Sequence, residues 1–369
     1  MSAPVLELRG PVLAGEGEVL DRLWVVDGRV TRSRPTAAAG AEVQAIEGWV
    51  VPGLVDVHCH VGLGPQGPVD RATAQDQARA DRDAGTLLIR DAGSPSDTRW
   101  VDEREDLPRI IRAGQHLARP KRYLRHYGRE LERVADLPDA VAQEAARGDG
   151  WVKIVADWID RDLGPQADLT PLWPDDVLAE AVRVAHAHGA RVTAHVFSKE
   201  ALPGLLAAGV DCLEHGTGLT PDLVAEVAAR GIPVVPTLLQ VERFADIADQ
   251  ATRYPVYAER MRRMHARRAE HVRDLHEAGV LLLLGTDAGG TIEHGRLADE
   301  AALLVAAGVP AEAVVASATW RARHFLGVPA LADGAPADLV VLAGDPRADI
   351  GYLRDPRAVV LRGSVVATT

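Results

Sequence analysis

Two histidines one residue apart, His58 and His60, close the apolar run LVDVHCH at residues 54–60. In an extended chain alternate side chains share a face, so both imidazoles point together with Asp56, while Val57 and Cys59 point the opposite way. Two imidazoles at that spacing suit chelation of one metal ion; on these seven residues alone, a polar strand end reads equally well. Other apolar runs end the same way: His195 closes RVTAHV, His215 closes VDCLEH and Asp287 closes LLLLGTD, while Lys153 stands inside WVKIVAD. Four imidazoles, one lysine and one carboxylate are too many polar groups to bury without a purpose.

Lys153 narrows the chemistry. The chain has three lysines, Lys121, Lys153 and Lys199, among 41 cationic residues, and it has no asparagine, so arginine is its default cation. A lysine flanked by Val152, Ile154 and Val155 therefore calls for something arginine cannot do. Burial lowers the pKa of an amine, and a neutral amine adds carbon dioxide to form a carbamate, an anionic ligand with two oxygens that can bridge two metal ions. A structural salt bridge is the other reading.

The elements that must position these residues alternate. Strands are expected at 54–60, 87–93, 109–114, 151–157, 191–196, 210–215, 233–238 and 281–287. Helical patterns separate several of them, and DDVLAEAVRVAHAHG, PDLVAEVAARG and MRRMHARRAEHVRDLHEAG each end at a glycine suited to a C-terminal cap. Eight such units predict an α/β fold, a (β/α)8 TIM barrel over 52–326, with the listed polar residues at the C-terminal rim where barrel chemistry sits. An open doubly wound sheet is the alternative. Residues 1–51 and 327–369 read as short strands, with a hairpin signal in VVDGRV, and are expected to pair into one small β-sandwich module.

Composition bounds the partners. A net charge of −12 argues against nucleic acid and anionic membranes, and no apolar run approaches the roughly 18 residues of a membrane span. The opening MSAPVLELRG has no secretory pattern, and two cysteines make no disulfide framework, so a cytoplasmic location is expected. A homo-oligomer is compatible with the fold, but the sequence does not show one.

The ordered set of HxH at strand 1, lysine at strand 4, histidines at strands 5 and 6 and aspartate at strand 8 resembles the amidohydrolase superfamily. The branch it looks most like is the imidazolonepropionase-like and prolidase-like one. The matching stretches include WVVPGLVDVHCH, WVKIVAD, LLAAGVDCLEHGTGL, LLLLGTDAG and SATWRARHFLGVPALADGAPADLVVLAGDP. The resemblance implies two divalent ions, zinc first, with manganese, cobalt or nickel as alternatives. His58, His60 and Asp287 would hold the more buried ion and His195 and His215 the other, with carboxylated Lys153 and a hydroxide bridging them. The implied reaction is hydrolysis of a C–N bond in an amide, dipeptide or cyclic amide, with Asp287 shuttling the proton. The alternatives are a mononuclear deaminase, an imidazolonepropionase-like ring opener and, less favoured, a non-catalytic scaffold. A glutamate five residues after His195, in VFSKE, fits the deaminase pattern poorly.

Substrate contacts are less legible. RPKRYLRHYGR (119–129) puts five cations on the active-site side in an acidic chain, making Arg125, His126 and Tyr127 candidates for capturing a carboxylate on a small-molecule substrate. The relatives' Gly-Gly-His stretch after strand 3 is not matched. His294, in AGGTIEHGR, is expected to overhang the site. Cys59 and Cys212 are expected to face the helices, His271 to be solvated, and Arg90 to pair with Asp91.

Overall fold

The apolar runs become strands because each is buried on both faces, as parallel barrel strands must be. In this computed structural model, which describes residues 5–36 and 42–368, the first barrel strand is Leu54–Cys59 and the second Thr86–Asp91, every residue of both buried. The third starts as Arg109–Arg112 beside the second and resumes as His116–Ala118 beside the fourth, Trp151–Val155. The fifth (Arg191–Val196), sixth (Cys212–His215) and seventh (Val234–Val235) follow in parallel, with Lys153 opposite Thr193, Val196 opposite His215 and Leu213 opposite Val234.

The eighth segment is less regular than the run 281–287 suggests. Leu283 N donates to Val234 O at 3.0 Å, Val57 N to Leu284 O at 2.9 Å and Asp287 N to His58 O at 2.7 Å, which joins the last segment to both the seventh and the first. The chain there is held by Asp56 as well as by a ladder: its carboxylate accepts from Thr286 N at 3.1 Å, Thr286 Oγ1 at 2.6 Å and His58 N at 3.0 Å. The eight strands form a (β/α)8 barrel.

Helices α1 (Arg71–Asp83), α2 (Leu137–Arg147), α3 (Asp175–Ala187), α4 (Leu202–Ala208) and α5 (Pro221–Arg230) connect the strands. Three more, α6 (Leu238–Glu242), α7 (Phe244–Gln250) and α8 (Pro255–Glu277), fill the connection after strand seven, and α9 (Leu297–Ala306), α10 (Ala311–Ala318) and α11 (Trp320–Leu326) follow strand eight. Caps mark their ends. Asp70 accepts from Thr73 N at 2.8 Å to start α1, and Gly231 ends α5 in the left-handed region at φ 65°.

Both chain ends enter one eight-stranded sheet, in which Trp49–Pro52 pairs antiparallel with Leu339–Leu342. The predicted hairpin is present: Asp27 and Gly28 take φ 48° and 75° between the paired Val26 and Arg29. Leu8, Val12, Leu23, Val25, Leu339 and Val360 belong to a core cluster of that sheet's own. Among the described residues no helix is long and apolar enough to cross a membrane.

Candidate metal centre

Strand ends on one rim of the barrel bring together all six residues singled out by type. His58 Nε2 and His60 Nε2 lie 3.2 Å apart, and each is 3.0 Å from Asp287 Oδ1. A second pair faces inward beside them, His195 Nδ1 and His215 Nε2 at 3.0 Å. The rings of His58 and His215 are 5.1 Å apart, so the two groups adjoin. Lys153 is fully buried below them, and its Nζ is in direct contact with Glu214 Oε2.

The outward edges of the rings decide which nitrogens are free. His60 Nδ1 donates to Gly93 O at 2.6 Å, and His215 Nδ1 to Thr237 Oγ1 at 2.6 Å, while the Thr237 hydroxyl donates to Pro236 O. With those protons committed, the Nε2 atoms of both rings present lone pairs to the interior. Imidazole nitrogens converge at 3.0–3.2 Å on each other and on a carboxylate oxygen, and His58, His60 and Asp287 form a group that could hold a metal ion.

Electrostatics point the same way. Burial, the dominant influence, holds His58 and His195 well below the usual imidazole range and His215 down to about 3, so these rings are neutral at neutral pH. Burial pushes the Asp287 carboxyl up, but the imidazoles of His58, His60 and His215 outweigh it and keep the group ionised. The Lys153 amine is lowered to about 7 by burial, against the attraction of Asp287.

Beneath the rim lies a layer of charge that sequence reasoning missed. Glu214 accepts from Thr193 Oγ1 at 2.7 Å, and Arg90 Nη1 lies 3.1 Å from its Oε1, with both charged side chains completely buried. Arg90 was read as the partner of its neighbour Asp91. Adjacent strand residues point to opposite faces, so Arg90 instead crosses the barrel interior, donates to Val57 O at 2.6 Å and lies over the Trp151 ring. His215 departs from that alternation at φ 64°, so that its ring and the carboxylate of the adjacent Glu214 both reach the interior. Three non-glycine residues at the rim, His215, Thr237 and Asp287, take φ of 64°, 47° and 58°, the kind of backbone strain that gathers at functional sites.

The structure sorts the expected substrate contacts. Tyr127 is buried in the wall of the cleft over Asp287, and burial pushes its phenol up to about 12. Arg125 and His126 are exposed and lie outside that lining, because the turn at His126, φ 66°, carries them outward. His294 is not over the site. Its Nδ1 is 2.8 Å from Asp81 Oδ2 on α1, on the side of the first strand where Cys59 points. His271 is not solvated either: it donates from α8 to Gly216 O at 3.0 Å.

Three residues of the cleft were not anticipated. Tyr123 and Trp158 line it with their rings 4.9 Å apart, and His116 is completely buried, its ring 5.0 Å from that of His60. The legible signal was AGQH at 113–116, which keeps the first glycine and the histidine of the Gly-Gly-His pattern and puts glutamine between them. A larger cavity of about 780 Å³ lies between α5 and α8 and meets the metal-ligand candidates only at His215. The smaller cleft includes His60, His195 and Asp287.

The sequence profile of the amidohydrolase family matches residues 49–366. An uncharacterised protein of Mycobacterium tuberculosis is 55% identical over 358 residues, 97% of this chain and 95% of its own. Among solved structures, a Xaa-Pro dipeptidase with bound methionine superposes with a TM-score of 0.82 at 22% identity, covering 98% of this chain and 99% of that one. Aspergillus niger ochratoxinase does so with a TM-score of 0.81 at 19% identity, over 100% and 97%.

Proposed function

The chain belongs to the amidohydrolase family, a hydrolase acting on C–N bonds, and from that premise we propose that it is a binuclear metal hydrolase with a carboxylated lysine. One observation carries the proposal. Imidazole nitrogens with committed outer protons, an ionised carboxylate and a fully buried lysine meet at one rim. His58, His60 and Asp287 would hold one ion, His195 and His215 the other, and Lys153 as its carbamate would serve both. Zinc is the first choice, with manganese, cobalt or nickel suited to the same donors.

Bound there, the ions lower the pKa of water and polarise the carbonyl of a small-molecule substrate. The protein's own groups do the rest. Asp287, ionised and 18% exposed at the floor of the cleft, accepts the proton of the attacking water and returns it to the departing nitrogen. Gly93 O and Thr237 fix the orientation of two rings, and Asp56 ties the strands carrying His58 and Asp287 together. The bond cleaved is an amide, a dipeptide link or a cyclic amide.

The test is metal content per chain in wild type and Lys153→Ala, with activity of Asp287→Asn alongside. Two ions are expected in wild type, a marked loss in Lys153→Ala, and a fall in kcat of about 10²–10⁴ for Asp287→Asn. One observation favours a mononuclear deaminase or ring opener, the seating of Lys153 on Glu214. A single ion, indifferent to Lys153→Ala, would decide for that reading.

A further inference from the structure

The cleft over Asp287 has a wall chemistry that limits what can enter. Among the described residues lining it there is no lysine and no arginine. Three of the cations nearest in sequence are committed elsewhere, and Arg125 and Lys121 are exposed outside the lining. Arg119 donates to the carbonyls of Leu131 and Glu132 at 3.1 and 3.0 Å, Arg122 pairs with Asp160 at 2.5 Å, and Arg129 pairs with Glu144 at 3.3 Å. Arg90 and Lys153 are sealed below the rim on Glu214. The anion already in the cleft is Asp287.

Aromatic rings make up much of the wall. Tyr123 meets Tyr127 at 6.3 Å and Trp158 at 4.9 Å, and Phe197 packs edge-on to His195 at 4.3 Å. Gln240, Thr291 and the phenols of Tyr123 and Tyr127 are neutral polar groups in the lining. A carboxylate held against this wall, away from the metal-ligand candidates, would shed water and meet no lysine or arginine side chain in the lining. A flat neutral group would trade water for ring faces.

We infer that the substrate is a neutral amide with an aryl or compact apolar group beside the scissile bond, not a substrate selected by a free carboxylate. This rests on the hydrolase reading above and replaces the carboxylate-bearing substrate expected from the cationic stretch at 119–129. Tyr123, Trp158 and Phe197 set the preference, and Gln240 marks the place where a cation would have to stand to reverse it.

The experiment uses metal-loaded protein and a matched pair, N-benzoyl-phenethylamine and N-benzoyl-phenylalanine, which differ by one carboxylate. Binding is measured by calorimetry with their ketone isosteres, CH2 replacing NH, so it is read without turnover. The neutral isostere should bind at least tenfold more tightly, and Gln240→Arg should shrink or invert that ratio. Equal or tighter binding of the acid overturns the inference, as does failure of both to bind. Turnover of the amides is scored separately: preferential binding of the neutral isostere with neither amide cleaved would support the specificity and count against the hydrolase reading.

Discussion

Carbamate formation on Lys153 should be measurable as a dependence of metal loading on carbon dioxide. With its amine lowered to about 7, Lys153 is about half neutral at pH 7. An ordinary lysine, with a pKa of about 10.4, is neutral in only about 4 molecules in 10,000 at that pH. The attack on carbon dioxide uses the neutral form, and the lowered pKa raises its population about 1000-fold at pH 7. Protein stripped of metal and carbon dioxide would be given zinc with and without added carbon dioxide, at fixed dissolved concentration, from pH 6 to 9. Recovery of two ions and of activity should require carbon dioxide, and its rate should rise with pH and level off above about 7, where the amine has lost its proton. Labelled carbon dioxide should give a carbamate carbon signal that Lys153→Arg lacks. Recovery indifferent to carbon dioxide would refute the reasoning, and so would a rate climbing tenfold per pH unit through pH 9, which would mark an ordinary amine.

Thr237→Val removes the acceptor for His215 Nδ1, leaving the ring free to turn, and should lower metal affinity about 10–100-fold in a chelator competition. Glu214→Leu strands the buried guanidinium of Arg90 and should cost about 3–5 kcal/mol in denaturant unfolding; a loss under 1 kcal/mol would show that Arg90 is satisfied by Val57 O and Trp151 alone. Glu300 caps α6 by accepting from Leu238 N and Leu239 N at 2.7 and 2.8 Å, yet burial raises its carboxyl from 4.5 to about 8. A folded pKa above the unfolded one favours the fold at low pH, so stability should fall between about pH 4.5 and 8, by roughly 5 kcal/mol at about 1.4 kcal/mol per pKa unit. Glu300→Gln should flatten that part of the melting-temperature profile, and a parallel profile would count against it.

Much of the fold was written in local pattern. Apolar runs of strand length, helical stretches ending in glycine and the DG turn at 27–28 each state a backbone preference within a few residues, and the observed elements follow them closely. The candidate ligands were legible for a related reason. A histidine, lysine or aspartate at the end of an apolar run breaks the pattern its neighbours set, although His215 and Asp287, at φ 64° and 58°, leave the strand conformation on which alternation depends. Even the orientation of Cys59, away from His58 and His60, follows from a period of two.

What tertiary structure alone decided were the partners across the barrel. Arg90 and Glu214 are separated by 124 positions, and no local rule says that an arginine will pass its neighbour Asp91 to meet a glutamate four strands away. The cationic stretch at 119–129 promised anion capture because composition counts charges and not commitments; in the fold Arg122, Arg129 and Arg119 turn to Asp160, Glu144 and a backbone carbonyl, and Arg125 is exposed. His294 and His271 were misplaced by the same limit, since loops and long helices are set by what they pack on. Sequence determined which residues could do chemistry and on which strands they stand. Closure of the barrel decided which of them meet, what charge surrounds them and what shape of substrate the remaining space admits.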